Sequence, residues 1–128
     1  MAGTYFDEET NTYYVKGEWA SSNEFFVCYW LEHYGHIDDY IFQYSILGGS
    51  DVRGGVKVDI VLQNTNKCPL PTPIEIDVEK WHPNKYDGES TFRRAVIEDY
   101  FNMPIISLND EQTNSMENAQ RTVRSELL

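Results

Sequence analysis

Two stretches of alternating apolar and charged residues constrain this chain most. Val56-Lys57-Val58-Asp59-Ile60-Val61-Leu62 and Ile74-Glu75-Ile76-Asp77-Val78 each have the two-residue period of a strand, and a loop containing Cys68, Pro69, Pro71 and Pro73 separates them. Side chains alternate along a strand, so Val56, Val58, Ile60 and Leu62 are expected on one face of the first, and Ile74, Ile76 and Val78 on one face of the second. The opposite faces then carry Lys57 with Asp59, and Glu75 with Asp77. If the two strands are neighbours, three carboxylates meet at one point. Such a group suits a hard divalent cation such as Mg2+ and repels itself without one. The same residues equally suit the solvated face of a half-exposed sheet.

The flanking segments predict the rest of an α/β layer arrangement. Thr4-Tyr5-Phe6 and Thr12-Tyr13-Tyr14-Val15 read as a hairpin around a turn rich in polar residues. Ser21-Ser22-Asn23-Glu24 is a capping-box pattern directly before Phe25-Phe26-Val27-Cys28-Tyr29-Trp30-Leu31, so a helix buried on most sides should start there and end near Tyr34-Gly35. Residues 40–47 read as a strand, and the glycines from Gly48 to Gly55 as the loop that returns the chain antiparallel. From Glu89 to Phe101 the apolar Phe92, Ala95, Val96 and Tyr100 fall on one helical face, which leaves Arg93 and Arg94 on a basic outer patch. Met103 to Leu108 reads as a short strand, and Met116, Ala119, Val123 and Leu127 recur at helical spacing. The order is hairpin, helix, three strands, helix, strand, helix.

Composition sets the limits. A chain of 128 residues with 41% hydrophobic and 14% aromatic residues has material for one packed domain, with residues 1–19 as a hairpin extension and 20–128 as the core. Its longest nearly apolar run, Phe25 to Leu31, is far shorter than the roughly 20 residues of a membrane span, and the first residues lack a secretory pattern. An intracellular protein is expected, with Cys28 and Cys68 as reduced thiols. The net charge of -11 is lopsided, because residues 1–52 hold nine acids and one base, Lys16. Whole-chain acidity opposes loose binding to nucleic acid, so any DNA must be met by a local surface in the later half.

The acid on the second core strand, the acid-x-acid of the third and the element order together resemble the PD-(D/E)xK nucleases. Within them the chain looks like the very-short-patch-repair and homing-endonuclease-like branch, as found in small phage proteins. The likeness spans roughly residues 20–128. It implies a three-layer, restriction-endonuclease-like core, a mixed four-stranded sheet flanked by helices, and hydrolysis of DNA phosphodiester bonds. It further implies Mg2+ or Mn2+ held by Asp59, Glu75 and the Ile76 carbonyl, with Glu24 assisting from the helix. The family's usual Lys, two residues after the second acid, is Asp77 here; Asp77 then either adds a ligand or marks a lost activity. Lys57 can supply a positive charge in its place, and His82 can handle protons. Arg93 and Arg94 are candidate phosphate contacts.

Simpler roles stand beside these. The capping box alone accounts for Glu24, the helix-end position accounts for His33 and His36, and Arg93 and Arg94 fit an ordinary solvent-facing helix. Three functions remain open: a metal-dependent endonuclease, active as a homodimer if it makes double-strand cuts; a non-catalytic virion or assembly protein that keeps the fold and binds a phage structural partner; and a nuclease-like module that binds nucleic acid or another nuclease without cutting. The first places the protein in the host cytoplasm and the second in the virion.

Overall fold

The structure, a computed structural model, describes residues 3–48, 55–77 and 88–128. Val78, Glu79, Lys80, Trp81, His82 and Gly54 lie outside them. A three-stranded antiparallel sheet comes first: β1 (Tyr5–Asp7), β2 (Thr12–Val15) and β3 (Glu18–Ala20). The sequence predicts only the first two strands. The third is joined by a two-residue turn, Lys16-Gly17, with φ of 49° and 83°. Both central residues are left-handed, as a tight hairpin turn requires, and glycine at the second makes it affordable.

Helix α1 (Ser22–His33) begins as its sequence predicts. Ser21 Oγ accepts from the Glu24 N–H at 3.2 Å, and Glu24 Oε1 accepts from the Ser21 N–H at 2.9 Å. Strands β4 (Tyr40–Ile46), β5 (Val56–Leu62), β6 (Thr72–Asp77) and β7 (Ile106–Asn109) form the main sheet in that order. The first two pairings are antiparallel and β6–β7 is parallel, with α2 (Gly88–Phe101) making the crossover. After β7 come α3 (Asp110–Thr113), α4 (Met116–Thr122) and a π-helical final turn, Val123–Leu127. The fold is thus mixed α/β. Among the described residues no helix is long and apolar enough to cross a membrane.

Strand β6 starts two residues earlier than expected and includes Pro73, opposite Val61. Pairing with β7 begins only at Ile74, so the missing N–H of Pro73 interrupts no ladder. Strand β7 starts later than expected. Asn102 is left-handed, with φ of 55°, and the Ile105 N–H is taken by Glu98 Oε2 at 2.8 Å, so residues 102–105 serve as a connection.

Both faces of the main sheet are covered. Ile60, Val61 and Leu62 are consecutive and all buried, which in a strand requires cover on both sides. Ile60 and Leu62 pack in one cluster with Val27, Cys28 and Leu31 of α1 and with Ala119, Val123 and Leu127; Val61 packs in another, with Ile97 of α2. The inward face of α2 differs from the expected one. Ile97 is fully buried, with Val96 and Phe101 against the same cluster, whereas Phe92 and Tyr100 are exposed. The stripe that meets the sheet includes Arg93, a charged residue on the buried side, and this disguised the periodicity.

The N-terminal sheet is fastened to the core by polar contacts as well as by Val15 and Ala20. Lys16 Nζ donates to the carbonyls of Ile37 and Tyr40 at 2.7 and 2.6 Å and lies 3.9 Å from the Tyr40 ring centroid. Thr4 Oγ1 donates to Glu32 Oε2 at 2.6 Å, and the Tyr40 hydroxyl donates to the same oxygen. Lys16→Met keeps the aliphatic stem and removes the charged donor. It is expected to destabilise the protein by about 1.5 kcal/mol in urea unfolding; an unchanged midpoint would show that apolar packing alone holds the sheet.

Candidate active site

Asp59 sits where three strands depart from regular pairing. Between β5 and β6 the rungs are Leu62↔Thr72, Val61↔Pro73 and Ile60↔Ile74, and there they stop. By the same register Asp59 stands across from Glu75, just past the last rung. The strands fork at this point, and Asp59 Oδ2 accepts the Ile76 N–H at 2.9 Å in place of a backbone carbonyl. Beyond the fork β6 stays paired with β7 through Asp77↔Asn109.

The irregularity continues into β4. Rungs Phe42↔Ile60 and Tyr44↔Val58 flank a gap at Gln43 and Asp59, and Gln43 has φ of 60°. On either side of the gap the buried residues change cluster. Val56 and Val58 pack with α2's Ile97, as does Val61, while Ile60 and Leu62 pack with α1. Regular alternation would place Val58 and Val61 on opposite faces, so the strand rotates between them. This corrects the expectation that Val56, Val58, Ile60 and Leu62 share one face. Because β4 twists at the facing residue, the register survives the rotation.

Glu24, from the first turn of α1, reaches the same region. Its Oε2 accepts from Gln43 Nε2 at 3.2 Å, and the residue is 9% exposed. Burial raises its pKa above the usual carboxylate value and the charge of Asp59 adds to this, while the hydrogen bond from the Ser21 backbone opposes it. The capping box and the acidic site therefore share one side chain.

Glu75 carries the strongest perturbation. Its side chain is 13% exposed, and burial, reinforced by the charge of Asp59 and a hydrogen bond shared with it, pushes the carboxyl up to about 8 against the pull of Arg93. Arg93 Nη2 lies 2.8 Å from Glu75 Oε1 but donates to the Lys57 carbonyl at 2.5 Å. The close charge contact is thus not a directed hydrogen bond. Oε1 is buried and accepts none among the described residues.

The structure brings together Asp59, Glu75, Glu24 and Arg93, and Ile76 joins them through its N–H, which donates to Asp59. Arg93 lies inward against the acids, which corrects its placement on an outer patch; Arg94 is exposed, near Glu98 and Ser107. The Lys57 side chain is exposed, and only its carbonyl enters the site. Asp77 is half-buried beside β7 and makes no hydrogen bond to Asp59 or Glu75 among the described residues. His82 lies outside them. The expected meeting of three carboxylates is replaced by a close pair with Glu24 behind it: among the described residues no three acidic, His or Cys side chains are placed to hold one metal ion. The rotation of β5 at Asp59 and the departure of β6 toward β7 account for this.

Sequence reasoning missed Gln43 and the inward role of Arg93. Gln43 interrupts the run Ile41-Phe42-Gln43-Tyr44 in the middle of a strand, and Arg93 lies one turn before the buried Ile97, so that only Arg93 was visible as a polar residue at a core-facing step. Compared with models of known protein families, with curated proteins and with solved structures, the chain matches none of them.

Proposed function

We propose that the chain is a divalent-metal-dependent DNA endonuclease with a PD-(D/E)xK-type, restriction-endonuclease-like core, and that Asp59 and Glu75 are its principal metal ligands. The observation that supports this best is the acid pair at the strand fork, in which Glu75 Oε1 is buried without a hydrogen bond among the described residues. The donors are hard oxygens, the type that Mg2+ or Mn2+ takes, and Glu24 stands behind them as a further acid. A bound cation would supply a water of lowered pKa and neutralise charge on the scissile phosphate. Helix, three strands, helix and strand follow in the order on which the resemblance rests.

The chain's own residues have distinct parts in this reading. Asp59 is oriented by the Ile76 N–H, and Glu24 and Gln43 back it from the side of α1. Arg93 supplies the positive charge that Asp77 cannot. Its planar guanidinium can stabilise an anionic phosphate. DNA would approach along α2, where Arg94 lies exposed, and double-strand cutting would require a second copy.

A second reading, a virion or assembly protein that keeps the fold without the chemistry, is favoured by one observation: Arg93 already places a cation against Glu75. Supercoiled plasmid and branched DNA, incubated with the protein and Mg2+ or Mn2+, separate the two. Nicking that EDTA stops and that Asp59→Asn lowers by about 10²- to 10³-fold is expected. An inert wild type with both metals would favour the assembly protein.

A further inference from the structure

The N-terminal sheet turns a row of aromatic rings outward. Tyr5 is registered against Tyr14 and Tyr14 against Trp19, so the three side chains stand side by side across β1, β2 and β3. The Tyr5 and Tyr14 rings stack, with centroids 5.1 Å apart and planes at 22°. The alternate row, Phe6, Tyr13 and Ala20, is the inner one, and Tyr13 packs on Phe25 and Phe26. Of this row Tyr13 and Ala20 meet the core, while Phe6 is itself 37% exposed. Of the outer row, Trp19 is 68% exposed and Tyr5 45%. With strands about 4.8 Å apart the row is about 10 Å long, and an exposed aromatic surface of this kind marks an interaction site.

Charge selects the partner. Asp7 shares the outward parity of Tyr5, and Glu8 and Glu9 follow in the turn. The only Lys or Arg among residues 3–36 is Lys16, and its ammonium is held by two backbone carbonyls. Carboxylates around the rings repel phosphate, so stacked nucleic-acid bases do not suit this face. A guanidinium suits both features, since it stacks on Trp and Tyr and pairs with carboxylates through two parallel hydrogen bonds. We infer that this face docks an extended, arginine-containing segment of a partner protein, with arginines stacked on Trp19 and Tyr14 and paired with Asp7, Glu8 and Glu9. The inference is independent of the chemistry at Asp59.

The test is fluorescence anisotropy of labelled nona-arginine and nona-lysine titrated with the intact protein. A chain of net charge -11 attracts any cationic peptide, so the decisive variant leaves the charge unchanged. Trp19→Ala is expected to weaken nona-arginine binding about fivefold to tenfold, with part restored in Trp19→Phe, and to weaken the already weaker nona-lysine binding less than about twofold. Glu8→Gln with Glu9→Gln should weaken it more than Glu111→Gln with Glu126→Gln, which removes the same charge elsewhere. Nona-arginine binding that ignores Trp19 would overturn the inference. So would binding of labelled oligo-dT that depends on Trp19, because the row would then be a nucleic-acid platform.

Discussion

Between pH 4.5 and about 8 the protein is expected to lose folding stability, at a slope approaching about 1.4 kcal/mol per pH unit, through Glu75. Burial, Asp59's charge and their shared hydrogen bond raise the folded carboxyl from its ordinary 4.5 to about 8. Below 4.5 both folded and unfolded chains hold the proton, and the full stability is present. As the pH rises the unfolded chain ionises first, which draws the equilibrium toward unfolding. The loss is complete once the folded carboxyl has also ionised, near pH 8. Glu24, raised for the same reasons, acts with the same sign. Glu75→Gln removes the titration and keeps the shape. At pH 8 it should be more stable than wild type by about 3 kcal/mol, less than the whole window because the amide also forfeits the contact with Arg93. Urea unfolding at pH 5, 6.5 and 8 measures this. A wild-type stability that is flat across those values, or a variant that is no more stable at pH 8, would mean that Glu75 is ionised throughout and satisfied by Arg93.

Much of the fold was legible because local signals agreed with tertiary structure. The Ser21 and Glu24 capping box fixes the start of α1, and the alternating run 56–62 fixes β5 to the residue. The expected neighbours, Asp59 and Glu75, do lie on adjacent strands. What escaped the sequence was set by contacts between elements. Strand β3 is too short to declare a period. The face of α2 was misread because Arg93 occupies a core-facing step, which only the acids of β5 and β6 explain. The rotation at Asp59 depends on Gln43 adopting a left-handed conformation opposite it, and no alternation pattern within β5 encodes that. In the last two cases the local rule fails at the acidic site.

Asp59→Asn separates a charge held for chemistry from a charge held for structure. The Asp59 carboxylate accepts the Ile76 N–H and raises the proton affinity of both Glu75 and Glu24. The amide retains an acceptor for the N–H and removes the repulsion, so at pH 7.5 the variant should keep its fold and gain about 1 kcal/mol. Its nicking should fall by about 10²- to 10³-fold, because a metal site that loses a carboxylate forfeits several kcal/mol of charge stabilisation in the transition state. Asp59→Ala removes the repulsion too but leaves the Ile76 N–H unpaired at the fork, at a cost of about 1–3 kcal/mol, and should be less stable than the Asn variant by that amount. Urea midpoints of the three proteins, read beside the plasmid assay, give the decision. A more stable, inactive Asn variant identifies a carboxylate maintained at the expense of stability. An Asn variant less stable than a wild type that itself cuts nothing would identify Asp59 as a brace for the forked strand, with Arg93 as the permanent counterion of its neighbour, and the assembly-protein reading would then stand.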